Sequence, residues 1–438
     1  SIHENIKRKR SICWSILLDR SEQWIKDRKP KNYYSISMKF NLILLAATLI
    51  SGHAFSQDQW VQKDSVNGAP RSVASAFVVN GEGYIMGGLD DGGFRRSMFS
   101  YTFWQDDWDD EPSIGGLSGD GLDRGNACSF SIENKGYLCL GQGDSNPFFN
   151  DLWEFDEDTD AWSQKSNFIG SARRQAIAFV LNEKAYVGTG IDANGLQKDM
   201  YQYDATTNMW TQVADFGGTA RKEAAAFSMG GQGYVGTGDE GVMVNDFWQY
   251  EPTTDMWTQK ADFPGTARKG AASWGQFPTG FICLGEDVGF NYTNDLWEYN
   301  FFVDSWTQRA DFPGTGRSNA ISFIQQDLGF VGTGYDGEFR DDVYAYRRIL
   351  GTEELANTSN TKIFPNPVVT SFTVQTDLKE VELQLITLDG KNATSALSIT
   401  KNNLGFKVNR VNLPTGNYFV QLTNNLGQVV HVEKVIFQ

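Results

Sequence analysis

The chain has 438 residues, 45 of them glycine, with 59 aromatic side chains spread among 30 Phe, 16 Tyr and 13 Trp, and a formal net charge of −16. The first 56 residues carry ten Lys/Arg against four Asp/Glu, which leaves −22 on the remainder. So acidic a surface repels phosphate backbones and argues against nucleic acid as a partner, while abundant glycine, frequent aromatics and few long apolar-periodic stretches point to an all-β chain rich in turns.

Residues 1–37 contain the basic run "KRKR" and no repeat pattern, and are expected to be an upstream non-structural stretch. Residues 38–57 read "MKFNLILLAATLISGHAFSQ": Lys39, an apolar run from Phe40 to Ile50, then the small residues Ala54 and Ser56. This is the pattern of a secretory signal peptide over 38–56, its apolar run well short of the roughly 20 residues a bilayer span needs. Beyond it stand Cys128, Cys139 and Cys283. An odd number argues against a disulfide framework, and small buried apolar residues are the expected role.

From residue 57 to 349 the chain repeats itself. The stretch "DMWTQKADFPGTARKGAA" (255–272) recurs with few changes at 208–225 and 304–321. Trp60, Trp108, Trp162, Trp210, Trp257 and Trp306 are separated by 48, 54, 48, 47 and 49 residues. Each is followed by an arginine: Arg71, Arg124, Arg173, Arg221, Arg268 and Arg317. The interval is 11 residues in five copies and 16 in the second, where "EPSIGGLSGDGLD" carries an insertion. Each unit divides into four short β-type runs, and four strands per period of about 48 residues predict the blade of a β-propeller. First strands crowded with Ala and Ser suit convergence near an axis, and the Trp of the fourth strand suits the wide outer end. The chain opens on an isolated Trp strand, "QWVQK" (59–63), and the last copy lacks one, so the N-terminal strand is expected to complete the last blade.

Glycine pairs close the second strand at Gly87–Gly88, Gly188/Gly190, Gly236/Gly238 and Gly332/Gly334, and an aromatic stands seven positions before a Trp, as in Tyr203/Trp210 and Tyr250/Trp257. This pattern resembles the Kelch repeat, and implies a six-bladed, galactose oxidase-like propeller over 57–349. The Gly-Thr-Gly of most copies departs from the family's double glycine. A copper site of the galactose oxidase type needs histidines, but His3, His53 and His431 all lie outside the repeats, so that chemistry is excluded and no metal or cofactor is expected. The six-bladed sialate mutarotases are another family of this fold. They make a cofactor-free sugar mutarotase or epimerase the alternative to a binding module.

Asp-rich turns link the second and third strands, and the repeat arginines are expected to emerge on the same rim, paired with a neighbouring blade's acid or capping a carbonyl. Because they occur in every copy, their expected role, like that of the tryptophans, is structural. The residues that differ between copies are the ligand-binding candidates: Arg95, Arg96, Phe148, Phe149, Asn291, Tyr292 and Arg340. The expected ligand is a glycan or a protein, and the expected state is a monomer.

Residues 350–361 form a polar linker. The segment 362–438 alternates like short strands and predicts a small immunoglobulin-like β-sandwich. Its "FPNP" (364–367), "LDGK" (388–391) and "LPTGNYFVQL" (413–422) resemble the type A sorting domain of the type IX secretion system of Bacteroidetes. That resemblance implies the secretion machinery as partner, export across the outer membrane, and cleavage of this domain with release or surface attachment.

Overall fold

The computed structural model describes residues 58–115, 122–144, 148–348, 361–387, 391–402, 404–424 and 429–438. The expected leader over 1–37, the signal peptide over 38–56 and all but one residue of the expected linker lie outside them. The described chain is all-β, its helical content being the single turn Thr394–Ala396.

Among the described residues, six four-stranded antiparallel sheets follow one another. Sheet 1 holds Ser75–Val79, Glu82–Met86, Met98–Thr102 and Asp107–Glu111, in chain order. Sheets 2 to 5 repeat that order, with first strands at Cys128–Ile132, Ile177–Leu181, Ala225–Met229 and Ala272–Gln276. Sheet 6 takes three strands from Ile321–Arg347 and its outermost from the other end of the described chain. Gln59–Lys63 pairs with Val343–Arg347, with Trp60 opposite Tyr346.

Three circuits of hydrogen bonds join the sheets, and each returns to its starting point. In the innermost, the amide of Asn126 donates to Val73, Gln175 to Asn126, Glu223 to Gln175, Gly270 to Glu223, Asn319 to Gly270 and Val73 to Asn319, at 2.8–3.1 Å. In the second, the amides of Gly88, Gly141, Gly190, Gly238, Gly285 and Gly334 donate to the carbonyls of Arg124, Arg173, Arg221, Arg268, Arg317 and Arg71. In the outermost, each fourth-strand indole donates to a carbonyl just past the preceding sheet: Trp60 to Ala310, Trp108 to Asp64, Trp162 to Pro112, Trp210 to Ser166, Trp257 to Ala214 and Trp306 to Ala261.

Local sequence explains each circuit. The second needs glycine: Gly88 has φ +98°, and a Cβ there would lie 2.8 Å from the Ser72 carbonyl. First-strand serines bridge neighbouring sheets, as Ser129 Oγ donates to Ala76 and Ser228 Oγ to Val180. Both faces of the sheets are covered, so alternation does not separate core from solvent. In "LWEYN" (296–300) Glu298 is as buried as Leu296, and accepts from Arg309 and Arg348.

The inner circuit holds all six of its residues at positive φ, Val73 at +49° among them. A β-branched side chain is strained there. Asn occupies the equivalent positions 126 and 319, so Val73→Asn is expected to raise stability by about 1 kcal/mol. Urea unfolding checks this, and an unchanged or lower midpoint would show that Val73 contributes packing that offsets its strain.

In the C-terminal segment, Lys362–Phe364, Ser371–Gln375, Gly405–Arg410 and Leu397–Asn402 form one sheet, and Val381–Thr387, Gly416–Asn424 and Val429–Phe437 another. Val374, Phe406 and Val408 of the first and Leu385, Val420 and Val435 of the second share one core.

Candidate functional site

The repeated eighteen-residue stretch is the joint between sheets. Its Phe (Phe216, Phe263, Phe312) packs edge-on against the next sheet's Trp (Trp257, Trp306, Trp60), at 5.0–5.4 Å between centroids. The arginine that follows stacks over the same ring, as Arg268 does on Phe263 at 4.9 Å. All six repeat arginines are buried, with at most 2% exposure. They do not line an open rim, as the sequence led us to expect.

A buried guanidinium is costly unless its charge is matched, and five of the six have a carboxylate in a bidentate pair. Arg124 holds Asp151, Arg173 Asp199, Arg221 Asp246, Arg268 Asp295 and Arg317 Asp342. Each acid precedes the third strand of the arginine's own sheet, where the sequence predicts a neighbouring sheet's acid or a capped carbonyl; the carbonyls are there too, as Arg268 also donates to Thr266 and Leu284. Burial alone would push Asp246 and Asp295 up, but the bonds from Arg221 and Arg268, with those from Trp248 and Trp297, hold both below the usual carboxylate range. Sequence reasoning missed these acids. Their signal was an Asp directly before the third strand in "NDLW", "KDMY", "NDFW" and "DDVY".

Sheet 1 has Ser97 at that position. Arg71 therefore donates to the Ser97 hydroxyl and to the Ala69 and Gly87 carbonyls, and burial lowers its pKa.

The Asp-rich turns are organised by their own side chains: Asp90, Asp192, Asp239 and Asp287 each accept from the amide two residues on. Where the turns of sheets 5, 6 and 1 meet the links into sheets 6 and 1, they enclose a cleft of about 920 Å³. Tyr292, Tyr335 and Phe339 form an aromatic wall, with Tyr292–Tyr335 and Tyr335–Phe339 centroids 6.3 and 5.2 Å apart. Asp90, Asp91, Glu286 and Glu338 supply carboxylates, Ser72 and Ser318 hydroxyls. Asn319 also lines a central cavity of about 190 Å³, ringed by the inner-circuit residues and the alanines beside them. There burial pushes the Glu223 carboxyl up, against Lys269 and Lys222.

Of the seven candidates, Arg95 and Tyr292 line the cleft. Arg95 is held by both oxygens of Asp90, at 2.6 and 2.7 Å. Arg340 binds Asp336 and Glu338 beside it, and Asn291 bonds Asp287 in its own turn. Arg96 donates to the Ile114 carbonyl and Phe148 lies under Arg174. Phe149 is buried, 3.9 Å beneath Arg124, where it takes the place of the joint Phe. Tyr335, Phe339 and Asp91 were not singled out from the sequence, because "YDGEF" and "DDGG" read as turn chemistry.

Residues 362–438 match the secretion system C-terminal sorting domain. That domain indicates secretion through the type IX system, interaction with its machinery, and a cell-surface or extracellular location. Among solved structures, the chain is similar to the structure of YjhT, at 16% identity and a TM-score of 0.55, over 65% of this chain and 99% of that one. At that identity the likeness bears on the fold alone. No curated protein matches the sequence.

Proposed function

We propose that residues 57–349 form a six-bladed Kelch-type β-propeller and that the exported chain uses it as a glycan-binding module outside the cell. The three closed hydrogen-bond circuits and the likeness to YjhT support the architecture. Residues 350–361 then serve as linker and 362–438 as an immunoglobulin-like sorting domain. The observation that carries the binding reading is the cleft: a rigid scaffold brings an aromatic wall and fixed acceptors from three sheets to one concave site of ligand size.

A cofactor-free sugar-modifying enzyme would need a carboxyl able to trade a proton beside its substrate. Of the carboxylates that line the cleft, burial would raise Asp90, but the bond from Arg95, with the Gly92 amide, holds it below the ordinary range. Asp90, so held, is no proton donor, and the reading adopted is binding.

Screening the exported chain on a glycan array tests the reading. At least one glycan family should be retained, and Tyr335→Ala or Tyr292→Ala should weaken it about tenfold, the worth of roughly 1.4 kcal/mol of lost ring contact. No retained glycan, or binding indifferent to both substitutions, would overturn it.

A further inference from the structure

Resting on the cleft as a glycan site, we infer that its ligand is a neutral, hydroxyl-rich oligosaccharide and that carboxylated sugars are excluded. Recognition of an acidic sugar favours a cation whose charge is not already matched, usually an arginine fork. Each exposed or half-buried cation at or beside the cleft among the described residues already has a carboxylate within 4 Å. Arg95 is bidentate to Asp90, Arg340 is engaged by Asp336 and Glu338, and Lys269 lies 3.9 Å from Glu286. The buried Arg71 beneath the cleft gives Nε to Ala69 and Nη1 to Gly87 and Ser97, and at 2% exposure it lies out of a ligand's reach.

The lining therefore presents acceptors. Asp91, Glu286 and Glu338 offer carboxylate lone pairs that a sugar carboxylate cannot satisfy and would meet with like charge. Hydroxyl groups can satisfy them. A basic peptide gains less, since Glu286 and Glu338 already have cations within 4 Å.

Apolar surface continues along the turn that supplies part of the cleft. Phe290, 76% exposed, and Val288, 66% exposed, stand on the turn that carries Glu286 and Tyr292. A chain of sugar rings leaving the cleft across that turn would cover both, so the ligand is an oligomer.

The test compares neutral oligosaccharides with their uronate- or sialate-bearing counterparts on the exported chain. Neutral forms should bind at least about tenfold more tightly, and their affinity should change little between roughly 50 and 500 mM salt. Asp91→Asn with Glu338→Gln, both at exposed positions, should narrow that gap. Equal or tighter binding of the acidic forms, still lost in Tyr335→Ala, would overturn this inference and leave the cleft as a glycan site. An absence of sugar binding would sink the parent reading as well, and so would oligolysine retained at low salt and released at high salt.

Discussion

Removing residues 57–63 should lower the thermal midpoint of the repeat domain by about 10 °C or more and broaden its transition. The strand Gln59–Lys63 is the outer strand of sheet 6, and it brings Trp60 against Phe312 and Tyr346, at 5.3 and 4.9 Å. Burying such a ring contributes roughly 2–3 kcal/mol. The loss does not stop at sheet 6. Asp64, whose carbonyl accepts from Trp108, follows directly, so the outer circuit would break at sheet 6 and be loosened at sheet 1. Val343–Arg347 would become an unpaired edge. At roughly 3 °C per kcal/mol, the middle of the range for large domains, a loss of about 4–5 kcal/mol gives about 12–15 °C. An unchanged midpoint in thermal unfolding would mean that sheet 6 stands on three strands and the circuits do not cooperate.

Arg221→Ala, Arg268→Ala and Arg317→Ala should each cost a similar amount, roughly 2–4 kcal/mol. Each would leave a carboxylate stranded against a joint designed for a guanidinium, and each would take the ring partner from Phe216, Phe263 or Phe312. Arg71 provides the internal contrast. It faces Ser97 where the other copies have Asp, so Arg71→Met strands no acid and should stay within about 1 kcal/mol of wild type. The pH dependence has a definite sign. The folded-state pKa values of Asp246 and Asp295 are lowered, so their pairs contribute fully above the unfolded carboxylate value of about 3.9 and lose that contribution as pH falls through the folded values. The gap between wild type and Arg268→Ala should accordingly shrink in acid. Urea unfolding at neutral pH and near pH 3 reads both effects, and a gap that widens in acid would contradict the pairing.

What the sequence made legible was whatever each copy must repeat to meet the same neighbours. The Trp intervals and the Trp-to-Arg spacing mark the joint, since every joint must deliver an indole to one carbonyl and a guanidinium under one turn. The depth of the arginines was not legible. It depends on acids 25 to 27 residues further on, and Asp151, Asp199, Asp246, Asp295 and Asp342 looked like ordinary residues ahead of a strand. Phe149 misled for a related reason: the second joint has no Phe where later joints have Phe168, Phe216, Phe263 and Phe312, and Phe149 fills the space under Arg124 that their Phe fills. The cleft is harder still. Tyr335 and Phe339 come together with Tyr292 and with Asp91, more than 200 residues away, only because sheets 5, 6 and 1 are neighbours. No local pattern announces such a meeting.

The division between a structural repeat and a separate ligand site can be tested in one comparison: unfolding midpoint and oligosaccharide affinity measured side by side for wild type, Arg268→Ala and Tyr335→Ala. Arg268→Ala should lose stability while its folded fraction binds with wild-type affinity, and Tyr335→Ala should keep the wild-type midpoint and lose about tenfold in affinity. The reverse pattern, wild-type stability with lost binding in Arg268→Ala, would place the ligand on the repeat itself and contradict the cleft.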